Sequence, residues 1–116
     1  MINERRLVDL FLKYVQIDSE SRKEENFREV LEQDLRELGM EVTADEAGNL
    51  FFALDGDEKA EPLLFTAHMD TVVPGQSIRP VMENGVIKSG GDTVLGGDDK
   101  SGIAAIVEAI RVMKEE

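Results

Sequence analysis

Apolar residues recur at helical spacing in three stretches of this chain, with short strand-like runs between them. Leu7, Leu10, Phe11 and Tyr14 share one face behind Asn3, so an amphipathic helix of about three turns is predicted there, capped by the Asn3 side chain. Phe27, Val30, Leu31, Leu35 and Leu38 form a second stripe; Ser21-Arg22-Lys23-Glu24 ahead of it has the spacing of a capping box, and Gly39 behind it is a stop signal. Ile103, Ile106, Val107, Ile110 and Met113 mark a third helix, starting near residues 99–101 and carrying Arg111 and Lys114 in its last turns, where cations suit the helix dipole.

Between the second and third helices the pattern changes to that of strands and turns. Residues 40–44 and 50–54 read as short strands about a Gly48-Asn49 turn, closed by the acidic turn Asp55-Gly56-Asp57. Leu63-Leu64-Phe65-Thr66-Ala67 is continuously apolar, which predicts a strand covered on both faces, as in the parallel part of an α/β sheet. Asn84-Gly85 is a strong hairpin signal within 81–87, and a glycine-rich loop spans 89–97. Helices alternating with strands give an α/β class, and 116 residues suit one small domain with one core, with no repeat or interdomain linker.

Charge narrows the partners. Thirteen basic against 25 acidic residues leave a formal net charge of −12, which opposes nonspecific binding to nucleic acid or anionic lipid. The absence of cysteine removes disulfides and thiolate metal sites from consideration. No signal-peptide core and no run near the ~18 apolar residues of a membrane span is present, so a soluble, cytoplasmic protein is expected.

Two stretches could carry chemistry. The apolar run ends at His68, the one histidine in the chain, followed two places later by Asp70; in an extended backbone the two side chains share a face. Taken singly, His68 is an ordinary structural histidine and Asp70 a turn residue. Together they form an imidazole–carboxylate set suited to zinc or a similar ion, with Asp70 able either to ligate or to orient the ring. The second stretch, Gly96-Gly97-Asp98-Asp99-Lys100-Ser101-Gly102, delivers two carboxylates to the start of a helix, where capping is the simpler role. A phosphate loop is excluded, because Asp99 stands where the Walker pattern needs glycine and Asp98 would repel phosphate. Asp55-Gly56-Asp57-Glu58 lacks the glycine spacing and closing glutamate of a calcium loop.

His68-Met69-Asp70-Thr71-Val72-Val73-Pro74-Gly75 with Leu95-Gly96-Gly97-Asp98-Asp99-Lys100-Ser101-Gly102 resembles the co-catalytic zinc peptidases, which include carboxypeptidase G, aminoacylase and succinyl-diaminopimelate desuccinylase, and is most similar to the peptidase T and tripeptidase-like branch. The resemblance covers essentially the whole chain. It implies a layered α/β/α catalytic domain with a mixed, partly parallel sheet, of which residues 1–116 are the N-terminal part. It also implies two divalent metal ions, zinc first with manganese or cobalt as alternatives, and a short peptide as substrate. His68 would be a metal ligand, Asp98 the carboxylate bridging both ions, and Asp70 the catalytic-site carboxylate that orients and polarises His68. The Asp98-Asp99 peptide would be cis, and Asp99, Lys100 and Gly102 would shape the loop.

The resemblance also predicts what is missing. The Glu-Glu pair that supplies the general base, the later aspartate and histidine ligands, and the lid domain associated with dimer contacts have no counterpart here, and Glu115-Glu116 falls at a helix end without a catalytic role. The expectation is a tripeptidase-like aminopeptidase sequence of which this chain is a truncated portion, without turnover of its own. The alternative is a non-catalytic α/β module that binds metal weakly or works by association, including as a homo-oligomer.

Overall fold

The computed structural model describes all 116 residues. Three helices form the frame: α1 (Glu4–Val15), α2 (Glu25–Glu37) and α3 (Gly97–Glu115). The α1 stripe forms as its periodicity predicts, and the Asn3 side chain accepts the Arg6 backbone N–H at 3.0 Å. Helix α2 also forms, and it ends on Gly39 in the left-handed conformation (φ 83°) that lacks a Cβ penalty only for glycine. Tyr14 of α1, Phe27, Leu31 and Leu35 of α2 and Ile103, Ala104, Val107 and Ile110 of α3 close into one core, joined by Met40 and Val42. Phe27 stands at its centre, edge-on to Tyr14 with ring centroids 5.2 Å apart.

Ion pairs tie the helices at their rims. The Arg6 guanidinium grips the buried Glu108 and, at 2.8 and 3.0 Å, the Glu115 carboxylate, so the first turn of α1 is pinned to the far end of α3. Tyr14 donates its hydroxyl to Asp34 at 2.8 Å, tying α1 to α2.

The predicted capping box does not form. Arg22 takes a positive φ of 73° and turns the chain between Ser21 and the helix; Glu24 occupies the cap position without a side-chain cap, and its carboxylate instead accepts the Arg22 N–H.

The β structure consists of two small antiparallel pairs. Strands β1 (Thr43–Ala44) and β2 (Leu50–Phe51) pair Thr43 with Phe51 and Ala44 with Leu50. They are shorter than predicted because Met40 and Val42 turn into the helical core, where burial is worth more than further pairing. Strands β3 (Pro80–Glu83) and β4 (Val86–Ser89) form the expected hairpin, with Asn84 and Gly85 both at positive φ (52° and 78°) as a type I′ turn requires.

The predicted covered strand at 63–67 is the main departure. These residues make no backbone hydrogen bond, and Leu63, Leu64 and Phe65 are 82, 88 and 68% exposed. No strand lies on either edge of the segment, and the helices turn their apolar faces to one another instead. Hence the mixed, partly parallel sheet is not assembled in this chain, and its parallel pairing is confined to one isolated bridge, Glu20 with Thr71. No helix is long and apolar enough to cross a membrane.

Candidate metal centre

The polar junction between α1 and α2 is the seat of the site. Ser19 accepts the Thr71 N–H through its carbonyl at 2.9 Å and donates its hydroxyl to the Met69 carbonyl at 2.8 Å. Ser21 N–H reaches the Thr71 carbonyl at 3.1 Å, and the Asp18 carboxylate accepts Ser77 N–H at 2.9 Å. Between them the buried Glu20 carboxylate takes the Gly75 N–H and the Gln76 amide, both at 2.9 Å, and these bonds hold its carboxyl below the usual carboxylate range. The turn it grips contains the cis Val73-Pro74 bond. Gly75 is required there for space, since a Cβ would lie 2.7 Å from Thr71 Oγ1 and 2.9 Å from the Val72 carbonyl.

The other wall is the entry to α3. The Asp98-Asp99 peptide is cis, as the resemblance implied, and both residues have non-helical backbone angles, so regular helix begins after Asp99. Lys100 is fully buried: its ammonium donates to the Ile17 carbonyl at 2.6 Å and sits 4.6 Å from the centroid of the Phe27 ring. Burial pulls its pKa down to about 8, against the attraction of Asp18. Gly102 leaves room for the Asp99 carboxylate, whose Oδ1 lies 2.5 Å from where a Cβ would stand.

His68 bridges the two walls. Its Nδ1 lies 3.0 Å from the Asp70 carbonyl and 3.1 Å from Asp70 Oδ1, and its Nε2 lies 3.0 Å from Asp98 Oδ1. Asp70 Oδ2 in turn accepts the Ser21 hydroxyl at 2.5 Å. A charged imidazolium donates from both ring nitrogens to these acceptors, and a neutral ring donates from one. Burial works against the charged ring, but the hydrogen bonds to Asp98 and Asp70 outweigh it and raise the His68 pKa. Asp70 is shifted down chiefly by the Ser21 hydroxyl, against burial, with His68 adding to the lowering.

The donors suit a divalent cation in chemistry and spacing. Imidazole nitrogen and carboxylate oxygen are zinc ligands at ~2.1 Å, and two such ligands of a tetrahedral ion stand ~3.4 Å apart, so a slight opening of the 3.0 Å His68–Asp98 contact accommodates one. An ion held there would replace the direct imidazole–carboxylate contact. The Asp98 carboxylate is 95% exposed and free to swing. No three residues of ligand type in the chain are arranged so that they could hold one ion, so His68 and Asp98 are a partial set.

His68, Asp70 and Asp98, the three residues singled out by sequence, thus lie together, although the first two are not on a strand. Glu115 is engaged by Arg6 at the far end of α3, outside the site. Sequence reasoning missed Ser21, whose signal was present in Ser19-Glu20-Ser21: two hydroxyls at strand spacing around a carboxylate.

No protein-family model matches the chain. Among curated proteins it is 48% identical to YqjE of Bacillus subtilis, described as uncharacterized, with all of this chain and 33% of that protein aligned. It is 30% identical to peptidase T of Parabacteroides distasonis over 94% of this chain and 38% of that one. A tripeptidase from Staphylococcus aureus superposes with a TM-score of 0.95 at 41% identity, covering 99% of this chain, and aminopeptidase PepT from Bacillus cereus with 0.94 at 44%, covering 98%. The chain spans 33% of each of those two structures, about a third of their length. Across that shared third, sequence and backbone agree, and the chain belongs to the peptidase T-like family.

Proposed function

We propose that the chain carries part of the metal site of a tripeptidase-like aminopeptidase: the N-terminal part of a layered α/β/α catalytic domain, cytoplasmic, that acts on short peptides with zinc, manganese or cobalt. One observation supports this reading above the others. His68 Nε2 and Asp98 Oδ1 meet at 3.0 Å across 30 residues of sequence, while Asp70 takes the other ring nitrogen. His68 and Asp98 would hold the ion, and Asp70 would keep Nδ1 protonated so that Nε2 presents its lone pair. A divalent ion held by these residues would lower the pKa of a bound water and polarise a scissile carbonyl. With only two ligands brought together, the 116-residue chain alone is expected to be inactive.

Two experiments test the reading. Calorimetric titration of the chain with zinc should give binding that His68→Ala and Asp98→Asn each abolish; heats unchanged by both substitutions would remove the metal site. A chimera carrying this chain in place of the matched third of B. cereus PepT should release N-terminal residues from tripeptides. A folded chimera that is inactive with zinc, manganese and cobalt alike would sink the peptidase assignment.

A second reading, a non-catalytic association module, is favoured by the exposed Leu63, Leu64 and Phe65. Sedimentation that shows concentration-dependent mass, together with no zinc binding, would select it.

A further inference from the structure

The ring of His68 is not held by packing. Its side chain is 52% exposed, and it is attached to a segment, 61–68, that makes no backbone hydrogen bond. Its orientation therefore depends on the polar contacts at its two nitrogens. The Asp98 contact comes from a carboxylate that is itself 95% exposed, so it cannot define the ring. That leaves Asp70, which meets Nδ1 with its backbone carbonyl at 3.0 Å and with carboxylate Oδ1 at 3.1 Å; the carbonyl moves with the backbone, whereas the carboxylate turns about its own side-chain bonds unless its second oxygen is engaged. Ser21 Oγ, at 2.5 Å from Asp70 Oδ2, engages it.

Ser21 is suited to this because its backbone is registered against that of Asp70. Ser21 N–H to the Thr71 carbonyl (3.1 Å), Thr71 N–H to the Ser19 carbonyl (2.9 Å) and Ser19 hydroxyl to the Met69 carbonyl (2.8 Å) fasten the two chains on either side of the contact. The hydroxyl carried on that frame has two acceptors in reach, the Thr71 carbonyl at 3.4 Å and Asp70 Oδ2 at 2.5 Å, and the much shorter contact to the carboxylate takes the proton.

We propose that Ser21 is a positioning residue of the metal site: its hydroxyl fixes the Asp70 carboxylate, which fixes the His68 ring so that Nε2 faces Asp98. The inference rests on the metal-site reading above for its consequence, and on the hydrogen-bond chain alone for its geometry. Ser21→Ala should lower zinc affinity about tenfold, the lower end of the 10–100-fold range for groups that orient a ligand. Ser21→Thr, which keeps the hydroxyl, should restore it.

The decisive measurement is a double-mutant cycle on the full 116-residue chain with Asp70→Ala. If Ser21 acts through Asp70, Ser21→Ala has no further effect once Asp70 is gone; a Ser21 that merely supports the fold would cost the same in both backgrounds. The ring nitrogens of His68, the single histidine, provide a second readout without metal. In 15N spectra Ser21→Ala should move the Nδ1 resonance toward its position in Asp70→Ala, and Ser21→Thr should leave it in place. Additive effects, an unmoved Nδ1, or failure of Ser21→Thr to rescue would overturn the proposal. If the wild-type chain binds no zinc, the metal-site reading fails, and the Nδ1 cycle alone decides whether Ser21 positions the ring.

Discussion

The Lys100 ammonium and the Ile17 carbonyl oxygen meet at 2.6 Å across 83 residues, joining the first turn of α3 to the α1–α2 connection. Lys100→Met keeps an aliphatic stem against Phe27 and deletes the donor. Leaving the part-buried carbonyl unpaired costs about 1–3 kcal/mol, and relief of the ammonium's desolvation offsets part of it. A net loss of about 1 kcal/mol in urea unfolding is expected, with zinc binding weakened because the neighbouring Asp98 loses its anchor. A midpoint equal to or above wild type would count against this account.

Gly75→Ala should destabilise the chain by about 1–3 kcal/mol, the usual cost of overpacking. The added methyl meets the Val72 carbonyl, which is backbone and cannot swing aside. Thermal unfolding checks it, and an unchanged midpoint would show that the turn relaxes freely.

Acid should weaken the junction through Glu20. Its folded-state pKa lies below the unfolded value, so its contribution is fully present above the ordinary glutamate range and is lost as pH falls through the depressed folded value. Stability measured from neutral pH downward should therefore fall less steeply in Glu20→Gln than in wild type, from a lower starting point. Parallel curves would disprove the linkage.

Residues 63–67 should exchange their amide hydrogens almost as fast as an unstructured peptide, whereas the core-facing turns of α2 around Leu31 and Leu35 stay protected. Hydrogen-exchange mass spectrometry reads this directly. Protection across 63–67 at low concentration would mean that these amides find partners absent from the single chain.

The sequence was legible where a residue's neighbours along the chain determine its state. The helices carry their own periodicity, and Asn84-Gly85 specifies a turn by itself. Leu63-Leu64-Phe65 encodes burial by partners, and this chain places none beside it, so a run that reads as covered strand is exposed. Ser21 reads as a cap because a hydroxyl serves equally well on a helix end or a carboxylate. The choice of Asp70 depends on a pairing 49 residues away. The resemblance makes Lys100 a loop-shaping residue, and its burial becomes visible only when α3 is set against Ile17 and Phe27.

The five residues 17–21 hold the Asp98 side of the site through Lys100 and the His68 side through Asp70. The two ligands are thereby measured from a common datum. A rocking of α3 or a shift of the 69–77 turn must move that datum too, so much of it cancels in the gap between imidazole and carboxylate. The gap acts as a gauge that tolerates motion of its surroundings and fails when the datum itself is cut.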